Sequence, residues 1–254
     1  MKQFNLIRFT TFLLFLFGGM MLRAQEQKPT NTAFGNDMQN YLTKTNVYAA
    51  LYSGKTATPY DTRFTNHPYY ESSNYISGIL DYNGVLYHDV LMRFDLFRNE
   101  ITVISPDKSY DIVLDNDKFN YAVVNGSAIM LSVSEKELTK QLLVLLHNGI
   151  YPVVRKYVVN VELSQKDRIF YNTFLIQRKY DIYINDVPRT VKNKNSVLKL
   201  FPDKRKELNE FAKQHNLNFK NQIEQSFVAL VTHYENLTSQ EGYTDDADNT
   251  DFRR

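Results

Sequence analysis

The chain has 254 residues, with 30 Lys and Arg against 28 Asp and Glu, and it contains no cysteine. The missing cysteine excludes disulfides, thiolate catalysis and Cys-ligated metal, and the near balance of charge excludes the global basic field that recruits nucleic acid. Aromatic residues are abundant and skewed, 18 Tyr and 17 Phe with no Trp, a composition suited to half-buried pleated sheets with cross-strand ring pairs.

The N-terminus predicts a secretory signal over residues 1–24. Lys2 and Arg8 form a positive leader, Thr11 to Leu22 is apolar, and small Ala24 stands before Gln25 where a signal peptidase would cut. The apolar run is short of the roughly 20 residues that span a bilayer, and no other stretch comes closer. Three of the 30 Lys and Arg precede Gln25, so the 230 residues that follow carry 27 of them against 28 acids, a net charge of −1. Residues 25–45 are polar and weakly patterned, a flexible lead-in.

Residues 46–191 read as one antiparallel β domain, with turn signals every ~8–12 residues between β-branched and aromatic runs. Val47 to Ser53 is predicted as the first strand, and 54–74 as a long connection holding Pro59, Pro68, Tyr60, Tyr69 and Tyr70. Asn-Gly recurs at 83–84, 125–126 and 148–149, each time between strand-like runs, which predicts three two-residue type I′ hairpins. Further strands are predicted over 76–82, 85–97, 100–105, 109–115, 118–124, 141–147, 150–163, 167–177 and 179–185, eight to eleven in all, and Ser134 to Glu137 has capping-box spacing. Successive hairpins imply a meander, barrel- or sandwich-like. The runs are short for a membrane-spanning barrel, and Arg93, Lys156 and Arg178 interrupt them.

At residue 192 the period changes to 3.6. Asn195 or Ser196 can cap a short helix, Leu208, Phe211, Ala212 and His215 mark one face of a second, and an Asn221–Glu224 capping pair opens a third with Phe227, Leu230, Val231 and Tyr234 on one stripe. A helical hairpin over 192–237 packed on the sheet makes the class mainly β, α+β overall. Residues 238–254 are polar and acidic, a disordered tail.

The run YINDVPRTVKNKNSVLKLFPDKRKELNEFAKQHNLNFK, together with the earlier LYSGK, HPYY and GILDYNGVLY strings, resembles a family of uncharacterised exported β-rich proteins of the Bacteroidota. The motifs cover most of the chain after the signal and carry no assigned activity. The resemblance implies a Gram-negative periplasmic or outer-membrane-associated setting.

Catalytic and cofactor signatures are sparse. The histidines, His67, His88, His147, His215 and His233, lack HExxH or His-x-His spacing. His88 and Asp89 are neighbours on a strand, and regular alternation would turn them to opposite faces. His67, in the long connection, is the histidine to watch, and His215 reads as packing or capping. No GxSxG elbow, dinucleotide fingerprint or P-loop occurs, and Asp115-Asn116-Asp117 reads as a turn rather than a calcium loop. No catalytic, cofactor-binding or metal residue is therefore assigned, and no cofactor is expected. The one candidate interaction patch is basic: Arg189, Lys192, Lys194, Lys199, Lys204, Arg205 and Lys206. It could meet an acidic envelope protein, glycolipid phosphates or the chain's own acidic tail, although a solvated helix face is the plainer account. The expectation is a non-catalytic structural or interaction protein of the cell envelope, in the periplasm, at the outer-membrane periphery or outside the cell. The alternatives are a barrel-type binder of lipid or another apolar molecule, and a hydrolase without a recognisable motif.

Overall fold

The computed structural model describes residues 47–60, 63–105, 107–133, 140–166 and 168–244. The expected signal and lead-in, the capping-box turn at 134–137 and residues 245–254 of the expected tail lie outside the described residues. The chain divides into two units, residues 1–51 with Asn185–Val187, and Tyr52–Ile184 with Pro188–Arg254. In the first, the segment predicted as the opening strand is instead a five-residue helix, α1 (Val47–Leu51). Its sequence VYAAL sets two Ala and a Leu, good helix formers, against one β-branched residue.

Eleven strands form a single sheet: β1 (Lys55–Thr56), β2 (Ile76–Tyr82), β3 (Val85–Asp95), β4 (Glu100–Ile104), β5 (Asp111–Val113), β6 (Phe119–Val124), β7 (Ser127–Val133), β8 (Lys140–His147), β9 (Val153–Lys166), β10 (Ile169–Ile184) and β11 (Val187–Val191). Their order is β1-β5-β4-β3-β2-β6-β7-β8-β9-β10-β11, so from β6 onward each strand lies beside its successor. The expected class, mainly antiparallel β within an α+β chain, holds.

Two of the three Asn-Gly hairpins form as predicted. Asn83 and Gly84 have φ of 53° and 77°, Asn125 and Gly126 49° and 75°, the paired left-handed geometry of a type I′ turn. Asn148-Gly149 does not; five residues separate β8 from β9, and β9 starts only after Pro152, which has no N–H to give a ladder. Gly149 is needed there for space, since a Cβ would fall 2.3 Å from both carboxylate oxygens of Glu235. The strands expected over 167–177 and 179–185 are one, β10, and β3, β9 and β10 have 11, 14 and 16 residues, so strand shortness does not hold for them.

On β3, Tyr87, Val90, Met92 and Phe94 are buried while His88 and Asp89 are both exposed. The β2 pairing slips between Gly78 and Leu80, and Asp89 has φ 55°, so a bulge puts His88 and Asp89 on one side where alternation predicted two. Inward positions of the sheet carry Leu80, Tyr87, Met92, Phe94, Ile101 and Ile129, each at most 1% exposed, which fills that face with side chains.

Residues 63–70 form a strap that links β10 to β3. Thr65 N donates to Asn172 O and Asn172 N to Arg63 O, both 2.9 Å, while Asn66 exchanges two bonds with the Phe174 backbone. At the other end Tyr70 N donates to Phe94 O and Leu96 N to Pro68 O.

Three helices follow: α2 (Lys194–Leu200), α3 (Arg205–Gln214) and α4 (Ile223–Thr244). Asn193 caps α2, two residues before the expected Asn195, with Ser196 as its reciprocal partner in a capping box. The expected Asn221–Glu224 pair does not form: Asn218 Oδ1 accepts from Lys220 N and Asn221 N in the turn before α4, and Glu224 bonds Arg155 and Tyr180 instead. Val197, Phe201, Leu208, Phe227, Leu230 and Val231 close over Val153, Ile182 and Val191 of the sheet. Helix α4 runs to Thr244, past the expected start of the tail at 238, with the Thr238 and Ser239 hydroxyls donating to the carbonyls of Tyr234 and Glu235.

Candidate functional site

Three polar constellations stand out against this frame. The first lies under the strap, in a pocket of about 240 Å³. Asp95, 3% exposed, accepts from the Tyr60 hydroxyl at 2.6 Å and from Phe97 N and Arg98 N at 2.9 Å each. Arg93 is paired to Asp111 at 2.7 Å and lies 4.2 Å from the Tyr69 ring centre, while Arg98 covers the Tyr60 ring at 3.9 Å and donates to Thr58 O. Burial, helped by the bond to Asp95, pushes the Tyr60 phenol far up, and burial raises the Glu100 carboxyl. Several ionisable groups thus converge, as a catalytic cleft would require. Both carboxylates are already engaged, however: Asp95 holds Tyr60 and the Phe97–Arg98 turn, and Asp111 holds Arg93.

The second is a buried network that the sequence did not announce. Arg155, 8% exposed, reaches both carboxylate oxygens of Glu224 at 2.9 and 3.0 Å and the Tyr70 hydroxyl at 3.2 Å. Tyr180 donates to Glu224 at 3.0 Å, and its phenol is pushed up to about 12, by burial first and then by that carboxylate. The network ties β9, β10, α4 and the strap together. Nearby, Glu235 bridges His147 and Tyr151 N at 2.8 Å each.

The third is a groove of about 1060 Å³ where β9, β10 and the end of β11 meet the Leu96–Phe97 turn and Ile223. Lys156, Arg178, Lys179 and Lys192 line it, and no carboxylate does. Asp181, the acid nearest in sequence, is taken by Lys156 and by the Thr190 hydroxyl.

Beside this groove β9 and β10 leave the sheet. β8 pairs with β9 only as far as Lys156, whereas β9 and β10 stay paired out to Lys166 and Ile169. On one face of this arm the pairs Val153/Ile182 and Arg155/Tyr180 are followed by Tyr157/Arg178, Val159/Ile176 and Val161/Phe174, of which Phe174 is still buried, stacked on Phe64 of the strap. Val161 is 42%, Leu163 62%, Ile169 51% and Phe170 53% exposed, an apolar concentration that a solitary surface does not need.

The predicted basic residues are spread along β11, α2 and the start of α3, most of them exposed, with Lys194 bonded to Asn209 at 2.9 Å. Only Lys192 lines the groove. His67 packs on Tyr69 and accepts its N–H at 3.3 Å, and Asp115 closes the Asp115–Asp117 turn by accepting from Asp117 N, as a turn residue does. His215 and His233 sandwich Phe211, with centroids 4.1 and 3.9 Å away, so His215 is packing. Burial, then the charge of His215, lowers the His233 pKa from 6.5. In that window the unfolded chain binds more protons than the folded one, so this stability is present above 6.5 and is lost as the pH falls towards the folded value. The thermal midpoint is expected to drop on acidification through that range, and His233→Phe to flatten this part of the profile; an unchanged slope in the variant would exclude His233 as its source.

Among the described residues no three His, Asp or Glu come together as a metal site requires, and no helix is long and apolar enough to cross a membrane. No protein-family model, curated protein or solved structure matches the chain.

Proposed function

We propose that the protein is a non-catalytic interaction protein of the cell envelope and that the β9–β10 arm is its contact surface. The observation that carries this reading is the row of exposed apolar side chains on a ribbon that has left the sheet. Such a patch marks a surface meant to be covered, and the clamped strap and buried Arg155 network give the arm a rigid root. The leader-like N-terminus and the resemblance to exported proteins support the envelope setting. A carrier with its ligand inside the sheet is disfavoured, because the inward positions are filled by Tyr87, Met92 and Phe94.

The test is affinity purification of the mature protein from its own envelope, with mass spectrometry, beside Leu163→Lys/Phe170→Lys and Lys204→Glu/Arg205→Glu/Lys206→Glu variants. A stoichiometric envelope protein is expected with the wild type and the basic-stretch variant, and its loss is expected from the arm variant at unchanged thermal midpoint. Retention of that partner by the arm variant would overturn the reading, as would its loss only when the basic stretch is reversed.

A further inference from the structure

The groove at the root of the arm is a second site, distinct in chemistry from the arm's tip, and the geometry points to a single-chain amphiphile with an anionic head as its occupant. Four cationic side chains border a concavity that has no lining carboxylate: Arg178 on the face of the ribbon that carries Val159, Lys156 and Lys179 paired across its other face, and Lys192 one residue past the end of β11. Arg178, Lys179 and Lys192 are exposed and make no ion pair among the described residues, so their charge is available to a ligand. A head group with several oxygens answers such a set, since charge-assisted bonds from guanidinium and ammonium donors are the stronger ones.

The rest of the lining is not cationic. Phe97, Tyr157, Val159 and Ile223 give it apolar walls. Val159 and its cross-strand partner Ile176 begin a strip that Val161 continues on the same face of the arm, two residues on. Side chains at alternate positions of one strand lie in a line about 7 Å apart. The groove thus offers charge at its rim and a narrow linear apolar track leading away from it, which suits an extended acyl chain better than a compact ring system. Its volume of about 1060 Å³ is at the upper end of small-molecule sites. A small inorganic anion would leave the track uncovered, and a neutral lipid would leave the cations unanswered. This site goes beyond the protein-contact reading and does not require it, because Leu163 and Phe170 lie farther out on the arm.

The experiment titrates the mature full-length protein with palmitate by displacement of a fluorescent anthroyloxy fatty acid. Parallel titrations use hexadecanol and inorganic phosphate, and sedimentation with phosphatidylglycerol vesicles runs beside them. One palmitate per chain is expected, with hexadecanol weaker by about tenfold or more, the scale of one lost charge-assisted contact. Arg178→Glu/Lys192→Glu should weaken palmitate by at least as much while keeping its thermal midpoint, since both side chains are exposed. A second variant, Val159→Asn, which adds polarity without charge, should weaken palmitate and leave phosphate unaffected. Leu163→Lys/Phe170→Lys should bind palmitate as the wild type does, whatever it does to protein capture. Equal binding of hexadecanol and palmitate, unchanged affinity after charge reversal, competition by phosphate alone at similar affinity, or vesicle binding without palmitate binding would each overturn the assignment; the last would mean that the cations meet a membrane surface.

Discussion

Replacing Phe227 by alanine is expected to destabilise the chain by about 4 kcal/mol, within the usual range for deleting a fully buried aromatic ring. Phe227 has no exposed surface and stands edge-on to Tyr180 at 5.5 Å, with Phe219 at 6.0 Å on another side. It is the ring through which α4 rests on β10, so its loss leaves a cavity between layers that backbone shifts cannot readily close. At roughly 2–4 °C per kcal/mol for a chain of this size, the thermal midpoint should fall by about 8–16 °C. Phe227→Leu keeps most of the apolar volume and should lose no more than about half as much. A fall below about 1 kcal/mol for the alanine variant would mean that α4 is not seated on the sheet as described.

The second large effect is expected at the Arg155 network. Glu224→Ala removes both acceptors of the Nη1 contact and leaves a guanidinium 8% exposed, whose Nε has no partner even in the intact network. Breaking a buried pair from one side typically destabilises by 3–5 kcal/mol. The Glu224 side chain retains 22% exposure, so solvent softens the loss and about 3 kcal/mol is expected. The double variant Arg155→Met/Glu224→Leu should recover most of it, because exchanging a whole buried pair for apolar groups is often neutral. Chemical denaturation of the three proteins checks both statements. A single-variant loss near 0.5 kcal/mol, as for a surface pair, would show that water reaches the network.

Local chemistry made much of the fold legible. The Asn-Gly pairs at 83–84 and 125–126 demand two positive φ values wherever they sit, and β2 starts and ends where its alternating run does. The helical stripe of Phe227, Leu230, Val231 and Tyr234 was visible for the same reason, as a period that one segment displays alone. What failed depended on partners distant in sequence. Asn148-Gly149 looked like its two relatives, yet the reason for its glycine is a carboxylate 86 residues away, on α4. Arg178 read as a break between two strands, whereas it lies exposed within one continuous strand paired to β9, where a charge is carried without difficulty. The Arg155 network left one readable trace. Val153, Arg155 and Tyr157 share a parity, so an arginine sat on a face that should have been buried, and such a residue calls for an acid that only the fold could name. The groove left none in any single segment, since its cations come from β9, β10 and the residue after β11.

The strap has a consequence for the order in which the molecule can be made. Thr65 meets Thr173 across 108 positions of chain, and Tyr70 meets Arg155 across 85. The meander from β6 to β10 joins each strand to the one made just before it, so its hairpins can assemble as they appear. Closing so long a loop carries an entropy that neighbouring contacts do not, and the segment that must close it is synthesised long before its partner strand exists. Arg63 to Tyr70 are therefore among the first residues of the sheet to be made and among the last to be tied down, and until β10 arrives the half-built sheet stays open along that side.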